Sequence, residues 1–299
     1  MKLSIHVGPD FNFWTTVCSH GWCTLPPFNA DKEARALERP FELSGGRVLN
    51  VRIRHASRRL TLDLPSVRSL PPGATRELLS QVKSCLRIDE DYADFYRIAT
   101  HHKEYRWVTR AGAGRLLRSP TVFEDLVKMI CTTNCSWALT EIMVGNLCRK
   151  LGTPDGDGWF TFPRPEALAG CTEKYLRSQI RVGYRAPYLL EAARRAASGE
   201  LDLESWRTPG LPASELYDRL RTVKGVGPYA AGNILKLLGH YDHLGIDSWC
   251  RKKFFEIHRK GRKTSDRVIE RHYEPLGKWK GLFFWMDLTK HWYEKEFPF

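Results

Sequence analysis

The sequence predicts a mainly α chain preceded by a small α+β domain with an antiparallel sheet. Three observations carry this expectation. Apolar and polar residues alternate with period two before Pro65, apolar stripes recur at helical spacing after Leu86, and a glycine-rich turn separates two helical runs. In the first region Val51 and Ile53 alternate with Arg52 and Arg54, and Leu60, Leu62 and Leu64 alternate with Thr61 and Asp63. Such strands bury one face and wet the other, and the polar stretch His55 to Arg58 would turn a hairpin between them. Pro65, Pro71, Pro72 and Gly73 break the pattern, and Thr75 is placed to cap a helix carrying Leu78, Leu79, Val82 and Leu86. The α+β domain is therefore expected to span 1–86.

Residues 87–299 read as helical, in two lobes: 121–240 with the glycine turn, and 87–120 together with 241–299. Four stripes support this: Phe123, Leu126, Val127, Ile130; Leu139, Ile142, Met143, Leu147; Leu189, Ala192, Ala193, Ala196; and Ala231, Ile234, Leu235, Leu238. Breakers lie between them at Gly152 to Gly158, Pro163 to Pro165 and Pro209 to Pro212. Near the end, Leu282, Trp285, Leu288 and Trp292 repeat the helical spacing. With ten tryptophans in the chain, some are expected in the core and a few to line a pocket for a flat ring.

Lys+Arg exceeds Asp+Glu by 13 in 299 residues, and the sequence pI is about 9.4, so a polyanion is favoured as partner. The N-terminus lacks an apolar run of signal-peptide length, and no stretch reaches membrane-spanning length, so an intracellular protein without membrane association is expected. The eight cysteines are scattered with no Cys-x-x-Cys, which argues against a structural zinc site and against a disulfide scaffold.

The most informative segment is Leu220-Arg221-Thr222-Val223-Lys224-Gly225-Val226-Gly227-Pro228-Tyr229-Ala230-Ala231-Gly232. Two glycines permit a tight reversal with unshielded amides, and Pro228 suits the first turn of the helix that follows. Amides beside a helix N-terminus make an anion site that fits a DNA phosphate. On its own the turn reads first as a plain helical hairpin that uses glycine because the reversal is tight. Eighteen residues past Tyr229, Gly245-Ile246-Asp247-Ser248-Trp249 places Asp247 before another helical stretch, as a simple N-cap or as a carboxylate aimed into a cleft.

Together these segments resemble the helix-hairpin-helix-GPD superfamily of base-excision DNA glycosylases, from about Leu86 onward. The N-terminal segment is similar to the extra domain of its alkyladenine and 8-oxoguanine branches. The resemblance implies a two-lobed helical glycosylase fold, with Lys224, Gly225, Val226 and Gly227 on the DNA backbone and Asp247 at the family's catalytic aspartate. Ile130-Cys131-Thr132-Thr133-Asn134 and Gly183-Tyr184-Arg185-Ala186 resemble the segments that enter the duplex. They imply Asn134 as the plug, Tyr184 as the wedge and Arg185 as donor to the orphaned base. Tyr229, Trp22 and Trp249 are the expected walls of the base pocket.

Lyase-active relatives carry lysine where this chain has Tyr229, and tyrosine cannot form a Schiff base, so a monofunctional enzyme is implied. Lys224 and Lys236 are the nearby lysines that could restore lyase chemistry. The family's iron–sulfur loop is missing, since no cysteine follows Cys250. No cofactor is expected, neither an iron–sulfur cluster nor zinc; the resemblance leaves room only for a structural sodium or potassium ion on the carbonyls of Arg221, Val223 and Val226. The implied partner is double-stranded DNA containing a damaged base, an alkylated or oxidised purine, and the protein is expected to be monomeric. The alternatives are a non-catalytic helix-hairpin-helix DNA-binding protein and a bifunctional glycosylase/lyase.

Overall fold

The computed structural model describes residues 1–65 and 67–298, and the chain divides into two compact units. The first comprises Met1–Glu90 and Arg115–Leu203, the second Asp91–Gly114 and Glu204–Pro298.

The first unit opens with a five-stranded antiparallel sheet in the order β1-β5-β4-β3-β2: β1 Lys2–His6, β2 Asn29–Asp31, β3 Ala36–Glu42, β4 Val48–Ala56 and β5 Arg59–Asp63. The alternating residues fall where the period predicts: Val51, Ile53, Leu60 and Leu62 are buried. The reversal is tighter than expected, because β4 runs through Ala56 and Ser57 takes the left-handed conformation that closes the hairpin. Pro40 is tolerated in β3 because β2 pairs only with Ala36 to Glu38, so the missing N–H faces no strand there. The next helix, Pro72–Leu86, begins before Thr75; Pro71 is its N-cap and the Thr75 hydroxyl donates back to the Pro71 carbonyl at 3.2 Å. Proline at the first helical position supplies the start that the sequence reading assigned to threonine.

The helix Val122–Thr132 is capped by Thr121 and buries Phe123, Leu126, Val127 and Ile130 as the stripe predicts. Burying such a side chain fully contributes about 1.5–3 kcal/mol. In Trp137–Leu151 the buried face is rotated from the expected one. Thr140, Met143, Val144, Leu147 and Cys148 are inside, whereas Ile142 is 37% exposed.

The unit boundaries differ from the expected division at residue 86. The sheet belongs with 115–203 because polar groups join them in the core. Arg39 on β3 reaches Glu124 through two contacts of 3.3 and 3.1 Å, Lys128 Nζ lies 2.7 Å from the same carboxylate, and all three residues are buried. Burial alone would push the Glu124 carboxyl up, but the two cations outweigh it and hold it down at about 2. Phe28 lies 4.4 Å from the Arg39 guanidinium and 4.9 Å from the Lys128 ammonium. The hairpin, expected in one lobe with 121–212, falls in the second unit, where it packs on the 239–247 loop.

Candidate active site

The second unit contains the hairpin. Its helices are Ala213–Arg221 and Pro228–Leu238, and Gly225 takes φ +87°, which only glycine adopts freely. The amides of Gly225 and Gly227 have no protein acceptor among the described residues, so the turn offers donors beside a helix N-terminus. Val226 differs: its side chain is buried and its amide donates to the Val223 carbonyl at 3.1 Å, so it closes the turn from inside. The Lys224 side chain is exposed. Arg221 Nη1 donates to the Val226 carbonyl at 2.9 Å. A guanidinium therefore already supplies positive charge to one of the three carbonyls implied for a monovalent cation. In this arrangement the residues do not fit a bound ion.

Asp247 is the N-cap of the helix Ser248–His258, its Oδ1 accepting from the Cys250 amide at 2.7 Å, and it stays partly exposed. What fixes it is the loop before it. A Cβ on Gly232 would stand 2.9 Å from both Cα and N of Gly245, and Gly245 itself has φ +69°. Two glycines thus bring the Pro228–Leu238 helix into backbone contact with the chain two residues before Asp247. Lys236 Nζ donates to the Leu244 carbonyl at 2.6 Å, and the Gly281 amide donates to the Tyr241 carbonyl at 2.6 Å, so the loop is held from two sides.

Tyr229, Gly232, Asn233 and Lys236 follow the i, i+3, i+4, i+7 spacing of one helix face. That face packs on the Asp247 loop, and it carries Tyr229 at its N-terminal end. Lys236 is buried, and desolvation lowers its pKa to about 8 against the opposing pull of Cys250 and Asp247. Burial raises the Cys250 thiol well above its ordinary value, so that sulfur stays protonated. Trp249, partly exposed, lies 6.0 Å from the Trp285 ring and 6.1 Å from Trp292, which makes an aromatic cluster beginning two residues after Asp247.

The first unit contains the other expected residues. Asn134 follows the Val122–Thr132 helix in the left-handed region at φ +49°, which asparagine tolerates better than most residues. Its Nδ2 donates to the Tyr184 hydroxyl at 3.4 Å, and that hydroxyl donates to the Thr133 carbonyl at 3.4 Å. Tyr184 is 46% exposed. Arg185 is buried under it: the guanidinium lies 4.6 Å from the Tyr184 ring centre, and its Nη2 donates to the Thr133 carbonyl. These three side chains form one cluster, with the arginine turned inward in this conformation. Trp22 is separate from them. It is 4% exposed, and its indole N–H donates to Asp125 Oδ1 at 2.8 Å, so it presents no open face.

Sequence reasoning passed over the Gly232–Gly245 approach; it gave Trp285 and Trp292 their helical spacing but not their place beside Trp249. A glycine inside an apolar helix was the available signal for the approach.

No family model matches the chain. Among curated proteins, it is 28% identical over 218 residues to a probable N-glycosylase/DNA lyase of Methanothermobacter thermautotrophicus, covering 65% of this chain and 68% of that one. It is 22% identical over 302 residues to a putative DNA-3-methyladenine glycosylase of Bacillus subtilis, covering 96% and 99%. Among solved structures, an 8-oxoguanine glycosylase/lyase of Clostridium acetobutylicum, in complex with double-stranded DNA containing cytosine opposite 8-oxoguanine, superposes with a TM-score of 0.74 at 19% identity over 98% of both chains. By sequence and by fold, the relatives of this chain are base-excision DNA glycosylases of the helix-hairpin-helix-GPD superfamily, the one its hairpin and Gly-Ile-Asp segments resemble.

Proposed function

We propose that the protein is a monofunctional DNA glycosylase that extrudes a damaged purine from duplex DNA and hydrolyses its N-glycosidic bond. The observation that carries this reading is Asp247: a partly exposed carboxylate on a loop locked against the helix face that bears Tyr229. A protein that only grips phosphates gains nothing from a fixed anion there.

The duplex backbone would be held by the amides of Gly225 and Gly227 with Lys224 beside them, contacts that position without reading sequence. Flipping costs a few kcal/mol, least for a damaged base. Tyr184 and Asn134 would fill the vacated space, and Arg185 would reach the orphaned base only by leaving its contact with Thr133. Tyr229 and Trp249 supply the flat faces for the extruded ring. As the C1′–N bond breaks, the sugar gains oxocarbenium character, which the Asp247 carboxylate stabilises. The same carboxylate orients a water whose oxygen bonds to C1′. The base leaves with the bonding electron pair and takes up a proton, giving free base and an abasic site.

One observation favours a second reading, a glycosylase with lyase activity. Lys236 shares the Tyr229 face, and its amine is easier to deprotonate than an ordinary lysine's. Excision from duplexes each bearing one oxidised or alkylated purine, followed by borohydride treatment, decides between the two. The monofunctional reading expects free base and no covalent adduct. An adduct that disappears in Lys236→Met supports the second. Absence of excision on every duplex leaves only DNA binding and defeats both.

A further inference from the structure

We propose that His258, His272 and Asp287 form a binding site for a divalent transition-metal ion of the zinc class, at the end of the Ser248–His258 helix remote from Asp247. The three residues come from three successive helices: His258 closes Ser248–His258, His272 lies on Asp266–Tyr273 and Asp287 on Lys280–Glu294. One potential ligand atom from each lies within 4.8 Å of the other two. Atoms bonded to one zinc ion at about 2.1 Å stand roughly 3–3.5 Å apart, so side-chain rotation closes this set on an ion without moving the backbone.

The donor types fit. Two imidazoles and one carboxylate suit borderline metals such as zinc, cobalt or nickel, whereas calcium and magnesium prefer all-oxygen sets. The carboxylate is already oriented: the buried Tyr273 hydroxyl donates to Asp287 Oδ2 at 2.6 Å, the kind of supporting hydrogen bond that ligating carboxylates use. His258 Nε2 also lies 2.6 Å from that oxygen, and the metal would take the place of the shared proton. The His258 and His272 rings stand 4.4 Å apart, with Phe254 at 4.8 and 5.3 Å closing the inner side. His272 is exposed, so water completes the coordination from outside. Three protein ligands with an open side describe a site that both staples three helices and keeps a coordination position available.

The cysteine spacing that argued against structural zinc has no bearing here, since no sulfur takes part. The site also stands apart from the glycosylase reading, because its test needs no DNA. The untagged full chain, stripped with chelator, is titrated with cobalt(II) and then zinc(II). The expected result is one equivalent bound, visible d–d absorption that zinc displaces, and a melting temperature raised by roughly 5 °C at saturating zinc. His272→Ala, a change at an exposed side chain with folding checked by circular dichroism, should weaken binding by at least about tenfold, and Asp287→Asn likewise. His101→Ala, which removes another exposed histidine, should bind as the native chain does. The proposal is overturned by the lack of a saturable single equivalent, or by binding that survives both ligand substitutions unchanged.

Discussion

The Asp247 loop and the Asn134–Tyr184 cluster are built by opposite means. The first is fixed by removing side chains: Gly232 meets Gly245 backbone to backbone, and a buried lysine ties down the Leu244 carbonyl. The second projects a side chain outward, with Tyr184 nearly half exposed over a buried Arg185 and a left-handed Asn134 beside it. Under the proposed function, the difference separates two tasks. A carboxylate that must meet a sugar carbon needs a rigid platform, since a displacement of about 1 Å is costly in a pre-organised site. A group that enters a duplex needs reach and an anchored base.

Substitutions in the two regions should therefore fail differently. Asp247→Asn keeps a capping oxygen at the helix start but loses the charge. Excision should fall by at least about 10²–10³-fold in single-turnover assays while duplex affinity persists. Gly245→Ala forces a methyl group to within 2.8 Å of Asn233 at a left-handed position. It should cost roughly 1–3 kcal/mol in urea unfolding, with excision reduced as well; native stability in this variant would mean the platform is not tight.

Lys236 gives a pH test. Its folded pKa of about 8 lies below the usual lysine value near 10.5, so the unfolded chain binds more protons between those limits. This group's contribution makes stability rise with pH through that window and stay flat below it. Lys236→Met should remove that slope, measured as the difference between the two proteins' denaturation midpoints from pH 7 to 10.5. The smallest effect on folding is expected for Tyr184→Ala, within about 0.5 kcal/mol because the ring is exposed. Duplex affinity should nonetheless drop by about 1–3 kcal/mol in a titration, the scale of a lost stacking contact. A folding defect larger than the binding defect would reverse the roles given to the two regions.

The legible parts were those carried by contiguous residues. Gly225-Val226-Gly227-Pro228 sets a turn by local backbone chemistry, and Gly245-Ile246-Asp247 sets a helix start, so both were readable. Helix stripes located the core in full in Val122–Thr132 and Pro228–Leu238, and least well in Trp137–Leu151, where the buried face includes Thr140, a residue that a hydrophobic pattern passes over. Trp22 was assigned by its ring type alone, and nothing local reveals that its partner is Asp125, 103 residues away. The inward turn of Arg185 likewise depends on Thr133, on a different segment. His258, His272 and Asp287 match no linear motif, because three helices must pack before the side chains meet.

The Arg39–Glu124–Lys128 triad has a practical corollary for anyone dissecting this molecule. A fragment ending at residue 86 would keep Arg39 without its anion, and the complementary piece would hold Glu124 with half its countercharge and Asp125 without Trp22. Stranding a buried charge costs about 3–5 kcal/mol, a large share of the 5–15 kcal/mol that a typical domain has to lose. The N-terminal sheet is accordingly no detachable accessory: scissors placed at its apparent edge would ruin both halves.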